Sequence, residues 1–253
     1  MNFIKFLGTA GARVVVARQL RASGGIWLSL DGTNLLIDPG PGSLVHCFKA
    51  RPKLDPTTLD GIIISHKHLD HAADINVMME AMTIGGKEKR GAVLAPGDAL
   101  GGGDPVIYKY VRGYVNRIEK LKEKGKYRIG GVEITSPVRH HHGVETYGLI
   151  FKGKSGKKIA YITDTKYFPE LAAHYKKADV VIISVLTPQP NPFDHLCLED
   201  VKVIAKTLKP KVMILTHFGL RMIKAKPWLI AEELSRELKT KVIAASDGLC
   251  FEF

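Results

Sequence analysis

Four apolar runs in this chain each end on a residue that can ligate a metal or take part in bond breaking. Ile62-Ile63-Ile64 leads to His66, the run through Ile162 to Asp164, the run through Ile183 to Ser184, and that through Leu215 to His217. Short continuous apolar runs of this kind read as strands buried on both faces. In α/β architectures ligands and catalytic groups collect beyond the carboxyl ends of the strands. One edge of the molecule is therefore predicted to carry a polar site.

The rest of the chain alternates in the same way. Strands are predicted at 2–7, 25–30, 34–38, 60–65, 92–95, 131–135, 147–151, 159–163, 179–184, 211–216, 241–245 and 249–253, with a loop at 39–43. Helices are predicted at 71–82, 198–208 and 227–238, the last with Pro227 in its first turn. Segment 83–128 is less legible: it contains the Gly-rich run 97–104 and a predicted helix from Pro105, and reads as a variable flap or a contact in a homodimer. No linker or repeat divides the chain, so residues 1–253 are expected to form one domain of two mixed sheets covered by outer helices.

Composition narrows the class. Apolar residues at 45% and charged residues at 25% suit an ordinary folded protein. The apolar runs are strand-sized, so no membrane span is predicted. Lys5, Arg13 and Arg18 interrupt the N-terminal apolar stretch, which reads as a strand rather than an export signal. The 3 cysteines, Cys47, Cys197 and Cys250, are scattered, and are expected to be buried thiols in a reducing, cytoplasmic setting. A net charge of +12 is spread along the chain and points only weakly to an anionic partner. Scarce amides, with Gln only at 19 and 189, fit a thermophile.

The most informative stretch is His66-Lys67-His68-Leu69-Asp70-His71. Residues two apart in an extended segment face the same way, so His66 and His68 can share one ion. A turn into a helix then offers Asp70 and His71 to a second position. The bland alternative makes Asp70 a helix cap and the histidines surface residues. Three imidazoles and a carboxylate converging at a strand end are costly unless a cation binds there.

This run resembles the His-x-His-x-Asp-His signature of the metallo-β-lactamase superfamily, and the resemblance extends over essentially the whole chain. It implies an αββα sandwich and a dinuclear metal-dependent hydrolase. On that resemblance Asp38, in Leu-Leu-Ile-Asp-Pro-Gly, orients the metal loop; Asp164, in Tyr-Ile-Thr-Asp-Thr, bridges two divalent ions; and His217 is the last ligand. His142, in His-Gly-Val-Glu-Thr-Tyr-Gly, resembles the third histidine of the first site in ribonuclease Z and its relatives, with His140 as the alternative on the same strand face. Asp247, in Ser-Asp-Gly, resembles an Asp supporting the last ligand. The ions are expected to be zinc, with manganese or iron as alternatives.

His195 resembles a histidine that contacts phosphate in phosphodiesterases of the superfamily. The implied reaction uses a metal-bridging hydroxide oriented by Asp70, with His195 protonating the leaving oxygen. The substrate is expected to be a small phosphodiester, as in the cyclic phosphodiesterase of phosphonate degradation, or RNA, as in transfer-RNA 3′-processing endoribonuclease. Only a tight turn separates the strands between His142 and Asp164, where ribonuclease Z enzymes carry a long basic arm, and this favours the small diester. Ester or thioester hydrolysis is a third reading, because the metal core does not choose the electrophile. A non-catalytic nucleic-acid-binding module would not need the full ligand set. Asp74 stands where many relatives have Gly, an extra carboxylate that could bind a partner or cap a loop.

Overall fold

The computed structural model describes residues 1–253, the side chain of Ala12 excepted. Its strands in chain order are β1 (Phe3–Phe6), β2 (Ile26–Leu30), β3 (Thr33–Ile37), β4 (Gly61–Ile63), β5 (Ala92–Ala95), β6 (Arg117–Lys120), β7 (Gly125–Ile129), β8 (Val132–Ser136), β9 (Leu149–Lys152), β10 (Lys158–Ile162), β11 (Val180–Ser184), β12 (Val212–Thr216), β13 (Lys241–Ala244) and β14 (Cys250–Glu252). They form two seven-stranded sheets, ordered β14-β1-β2-β3-β4-β5-β6 and β13-β12-β11-β10-β9-β8-β7. In the first sheet β14, β1, β2 and β3 pair antiparallel, and β3 to β6 pair parallel. The second sheet repeats the scheme: β7 to β10 are antiparallel, β10 to β13 parallel.

Side-chain alternation explains why the inner parallel strands β4, β5, β11 and β12 are almost entirely apolar. Val180 and Ile182 of β11 face the core between the sheets, beside Phe6, Leu28 and Phe151. Val181 and Ile183 face the opposite way, onto Val201, Ile204 and Ala205 of the helix Leu198–Leu208 and onto Ala231 and Leu234 of the helix Pro227–Leu238. On the outer side of the first sheet, Leu36, Ile62 and Val93 pack on Ile75, Met78, Met79 and Met82 of the helix Ile75–Met82. The result is the four-layer αββα sandwich. Among the described residues no helix is long and apolar enough to cross a membrane.

The structure departs from the sequence expectations in segment 83–128. In place of a helix from Pro105 there is a single 3-10 turn, Tyr110–Tyr114, followed by β6. Asn76 overrides local propensity here: its amide donates to the Val106 carbonyl at 2.8 Å and accepts from the Tyr108 N–H at 2.9 Å. The segment is thus built into the sheet through β5 and β6. The helix predicted over 71–82 is two pieces, Leu69–Ala72 and Ile75–Met82. The Asp74 N–H is diverted to the Pro39 carbonyl at 2.9 Å, and its carboxylate accepts from the Leu44 N–H at 3.1 Å. Asp74 therefore caps the helix Ser43–Lys49. Cys47 and Cys197 are buried, whereas Cys250, on the edge strand β14, is exposed.

Phe151→Ala, which empties the middle of the inter-sheet core, should lower the unfolding free energy by about 3–5 kcal/mol. Val203→Ala, on the solvent side of the helix Leu198–Leu208, should change it by less than about 0.5 kcal/mol. Urea unfolding of the two variants checks the contrast.

Candidate metal centre

The parallel strands deliver their ends to one edge. Asp38 follows β3, His66 and the helical turn Leu69–Ala72 follow β4, Asp164 follows β10, and His217 follows β12. The loop after β11 brings in His195, and the loop before β9 brings in His142. His66, His71, Asp164 and His217 are buried and form a floor; His68, Asp70, His142 and His195 are half-buried around the opening.

The ligand atoms of His66, His68 and His142 all lie within 4.8 Å of one another, as do those of Asp70, His71 and His217. Between the two sets sits Asp164, whose Oδ2 is 3.8 Å from His66 Nε2, 3.3 Å from His71 Nε2 and 3.3 Å from His217 Nε2. His68 Nδ1 is 3.0 Å from His142 Nε2, and His71 Nε2 is 3.1 Å from His217 Nε2. Donors bound about 2.05 Å from a tetrahedral ion stand about 3.3 Å apart. The spacing is one at which these atoms could hold a cation.

For His66, His71 and His142, hydrogen bonds on the far side of the ring fix which nitrogen faces inward. Asp38 Oδ2 accepts from Ser65 Oγ at 2.7 Å, from Tyr161 OH at 2.9 Å and from His71 Nδ1 at 2.9 Å, and Oδ1 accepts from the Ser65 N–H at 2.6 Å. With its own proton committed to Asp38, Ser65 Oγ can only accept from His66 Nδ1, at 3.0 Å. His142 Nδ1 donates to the Asp194 carbonyl at 3.0 Å. Each of these three rings therefore turns a bare Nε2 lone pair into the cluster. His66 Nε2 is buried and has no hydrogen-bond partner, the state expected of a metal ligand.

Electrostatics agree. Burial drives His66 well below the ordinary imidazole pKa and brings His68 down to about 4, so both are neutral donors. Burial opposes ionisation of Asp164, yet His217, His71 and His195 outweigh it and hold the carboxylate charged. Burial likewise opposes a charge on His71, but Asp164, Asp70 and Asp38 push its pKa well above the ordinary value. Three carboxylates around one imidazole demand positive charge there, which a divalent cation supplies. The donor set fits such ions.

Of the other predicted residues, His140 lies outside the cluster: it is buried, with Nε2 2.6 Å from Tyr175 OH. Asp247 does not touch His217. It accepts from Thr9 Oγ1 at 2.7 Å and from the Ala22 N–H at 2.7 Å, and the Thr9 carbonyl in turn holds the Phe218 N–H at 2.9 Å. His195 Nε2 reaches Asp164 Oδ2 at 3.1 Å. Sequence reading missed Ser65, Tyr161 and Thr163, isolated polar residues in apolar strands. It also missed the clasp in which Asp98 and Glu145 each accept the other's backbone N–H, at 3.2 and 3.1 Å, fastening segment 83–128 beside the His142 loop.

Residues 33–218 match the family model described as the beta-lactamase superfamily domain. The chain is 27% identical, over 98% of its length and 94% of the relative's, to an uncharacterized protein of Methanocaldococcus jannaschii. It is 25% identical to a ribonuclease Z of Clostridium tetani, covering 85% of this chain and 88% of that one. Among solved structures, the metallo-beta-lactamase fold protein YhfI from Bacillus subtilis superposes with a TM-score of 0.80 at 20% identity, covering 100% and 99% of the two chains. A diphosphatase from the PhnP family superposes with a TM-score of 0.73 at 23% identity, covering 100% and 98%. The chain belongs to the metallo-β-lactamase superfamily and is a metal-dependent hydrolase.

Asp38→Asn replaces one acceptor oxygen with an NH2 that faces donors. It should weaken divalent-metal binding roughly 10- to 100-fold, read by competition with a chromophoric chelator. Wild-type affinity in the variant would separate Asp38 from the centre.

Proposed function

We propose that the chain is a phosphodiesterase working with two divalent ions, zinc in the first instance, and that its substrate is a small phosphodiester. One ion would be held by His66, His68 and His142, the other by Asp70, His71 and His217, with Asp164 shared. Bound ions supply Lewis acidity, neutralising phosphoryl oxygens and lowering the pKa of water.

The observation that carries the reading is His195. It is in neither of the sets His66, His68, His142 and Asp70, His71, His217, though its ligand atom lies within 4.8 Å of those of His142 and Asp164, and its Nε2 stands 3.1 Å from Asp164 Oδ2. An imidazole beside the shared carboxylate, but outside both sets, is free to move a proton. Burial works against protonating it, and Asp164 outweighs burial, so its pKa is raised and the ring keeps a proton to donate. Asp70 stays ionised although burial opposes it, because His71 and His217 lie alongside. Asp70 can therefore orient, as a hydrogen-bond acceptor, a nucleophile that bound ions would already have helped to deprotonate, while His195 donates to the departing oxygen as the P–O bond breaks.

Similarity to ribonuclease Z and to a PhnP-family diphosphatase supports phosphorus as the electrophile. Between β9 and β10 the chain makes only the turn closed by the Gly153 N–H on the Lys157 carbonyl at 3.1 Å. That hairpin offers no arm to grip a large RNA, which supports a small diester. Cleavage of transfer-RNA precursors is the second reading, favoured by the ribonuclease Z relative and by the charge of +12.

His195→Ala should reduce turnover of a dialkyl phosphodiester by roughly 10²–10⁴-fold. It should reduce turnover of bis-p-nitrophenyl phosphate far less, because p-nitrophenolate departs without a proton. Bound metal, counted by mass spectrometry, should be unchanged. Equal losses on both diesters would refute the proton-donor role. Steep salt dependence of RNA binding, with precursor RNA cleaved faster than small diesters, would favour the second reading.

A further inference from the structure

His140 and Tyr175 are both buried, and neither belongs to a donor set. Tyr175 OH is 2.6 Å from His140 Nε2, and His140 Nδ1 is 3.3 Å from the backbone carbonyl of Asp164. A carbonyl can only accept, so His140 carries its proton on Nδ1 and receives the Tyr175 proton at Nε2. The chain of donors therefore runs one way, from Tyr175 O–H to His140 and from His140 to the Asp164 carbonyl.

The surroundings hold this pair in register. The Thr146 carbonyl accepts from the His140 N–H at 2.8 Å. The Lys166 N–H donates to the His141 carbonyl at 2.8 Å, and the His141 N–H donates to Thr165 Oγ1 at 3.1 Å. Three contacts thus knit residues 140–141 to 164–166, the segments that carry His142 and Asp164. At Gly148 a Cβ would stand 1.7 Å from Tyr175 OH and 2.5 Å from His140 Nε2, so only glycine leaves room for the bond.

We propose that Tyr175 and His140 are positioning residues that fix the backbone of Asp164 and lock it to the segment carrying His142, so that the two metal positions form as a unit. The inference rests on the reading of Asp164 as the shared metal carboxylate. Neither residue touches the ions or the substrate; both act through the Asp164 peptide.

Zinc titration against a chromophoric chelator tests this on the full chain, with thermal unfolding of the metal-free proteins run alongside. His140→Leu should weaken zinc binding roughly 10- to 100-fold, the range for groups that orient ligands. His140→Asn, whose amide nitrogen can take the place of Nδ1 at the Asp164 carbonyl, should restore most of that loss whatever its thermal midpoint. Tyr175→Phe, which leaves the fold's apolar packing intact, should fall between them and decides the matter if His140→Leu does not fold. Wild-type zinc affinity in Tyr175→Phe and His140→Leu, or equal loss in His140→Asn and His140→Leu, overturns the proposal. Asp164→Ala is the control: if it also binds zinc as the wild type does, the reading of the centre itself has failed.

Discussion

The buried carboxylate of Asp38 is the group on which the rest of the site depends. It leaves β3 in the first sheet and takes four hydrogen bonds, two from Ser65 after β4, one from His71, and one from Tyr161 on β10 in the second sheet. An ion in that position is costly unless each lone pair is met. Meeting them joins the two sheets at the edge where the ligands gather. It also sets proton positions, since Ser65 must then accept from His66, and His71 must turn its other nitrogen inward. One buried charge thus decides which lone pairs face the centre.

Two of the ten non-glycine residues with positive φ stand at the same place. Asp38 and His217 adopt φ of 51° and 63°, the left-handed region that non-glycine residues avoid. Each sits where a parallel strand ends and must turn sharply to aim a side chain across the edge. The distortion at His217 is held by its neighbours: the Phe218 N–H donates to Thr9, and the Gly11 N–H donates to the Phe218 carbonyl at 3.1 Å. Gly11 passes so close that a Cβ there would lie 2.2 Å from the His217 carbonyl oxygen. Asp247, through Thr9, belongs to this scaffold.

Much of the fold and the site was legible because burial leaves a plain mark on sequence. β11 and β12 are packed on both faces, so their apolar runs are continuous, and His217 stands just beyond β12. β6 and β7 were not legible. Each is one of the two edges of its sheet, and charged residues such as Arg117, Glu119, Lys126 and Arg128 line them, as edges require. The choice between His140 and His142 was closed to strand parity, which puts both on one face. What separates them is that the chain leaves the ladder after the Arg139–Tyr147 bridge, sending His142 to the rim and His140 inward to Tyr175. Ser65 and Tyr161 carried no signal of their own, because a single polar residue in an apolar strand points to nothing until its partner across the sandwich is known.

Anomalous diffraction from zinc-soaked crystals tests the account most directly. Two peaks are predicted at the edge of the sandwich, one bounded by His66 Nε2, His68 Nδ1 and His142 Nε2, the other by Asp70, His71 Nε2 and His217 Nε2, with Asp164 between them. Peaks bounded by other residues, or none within this cluster, would contradict it.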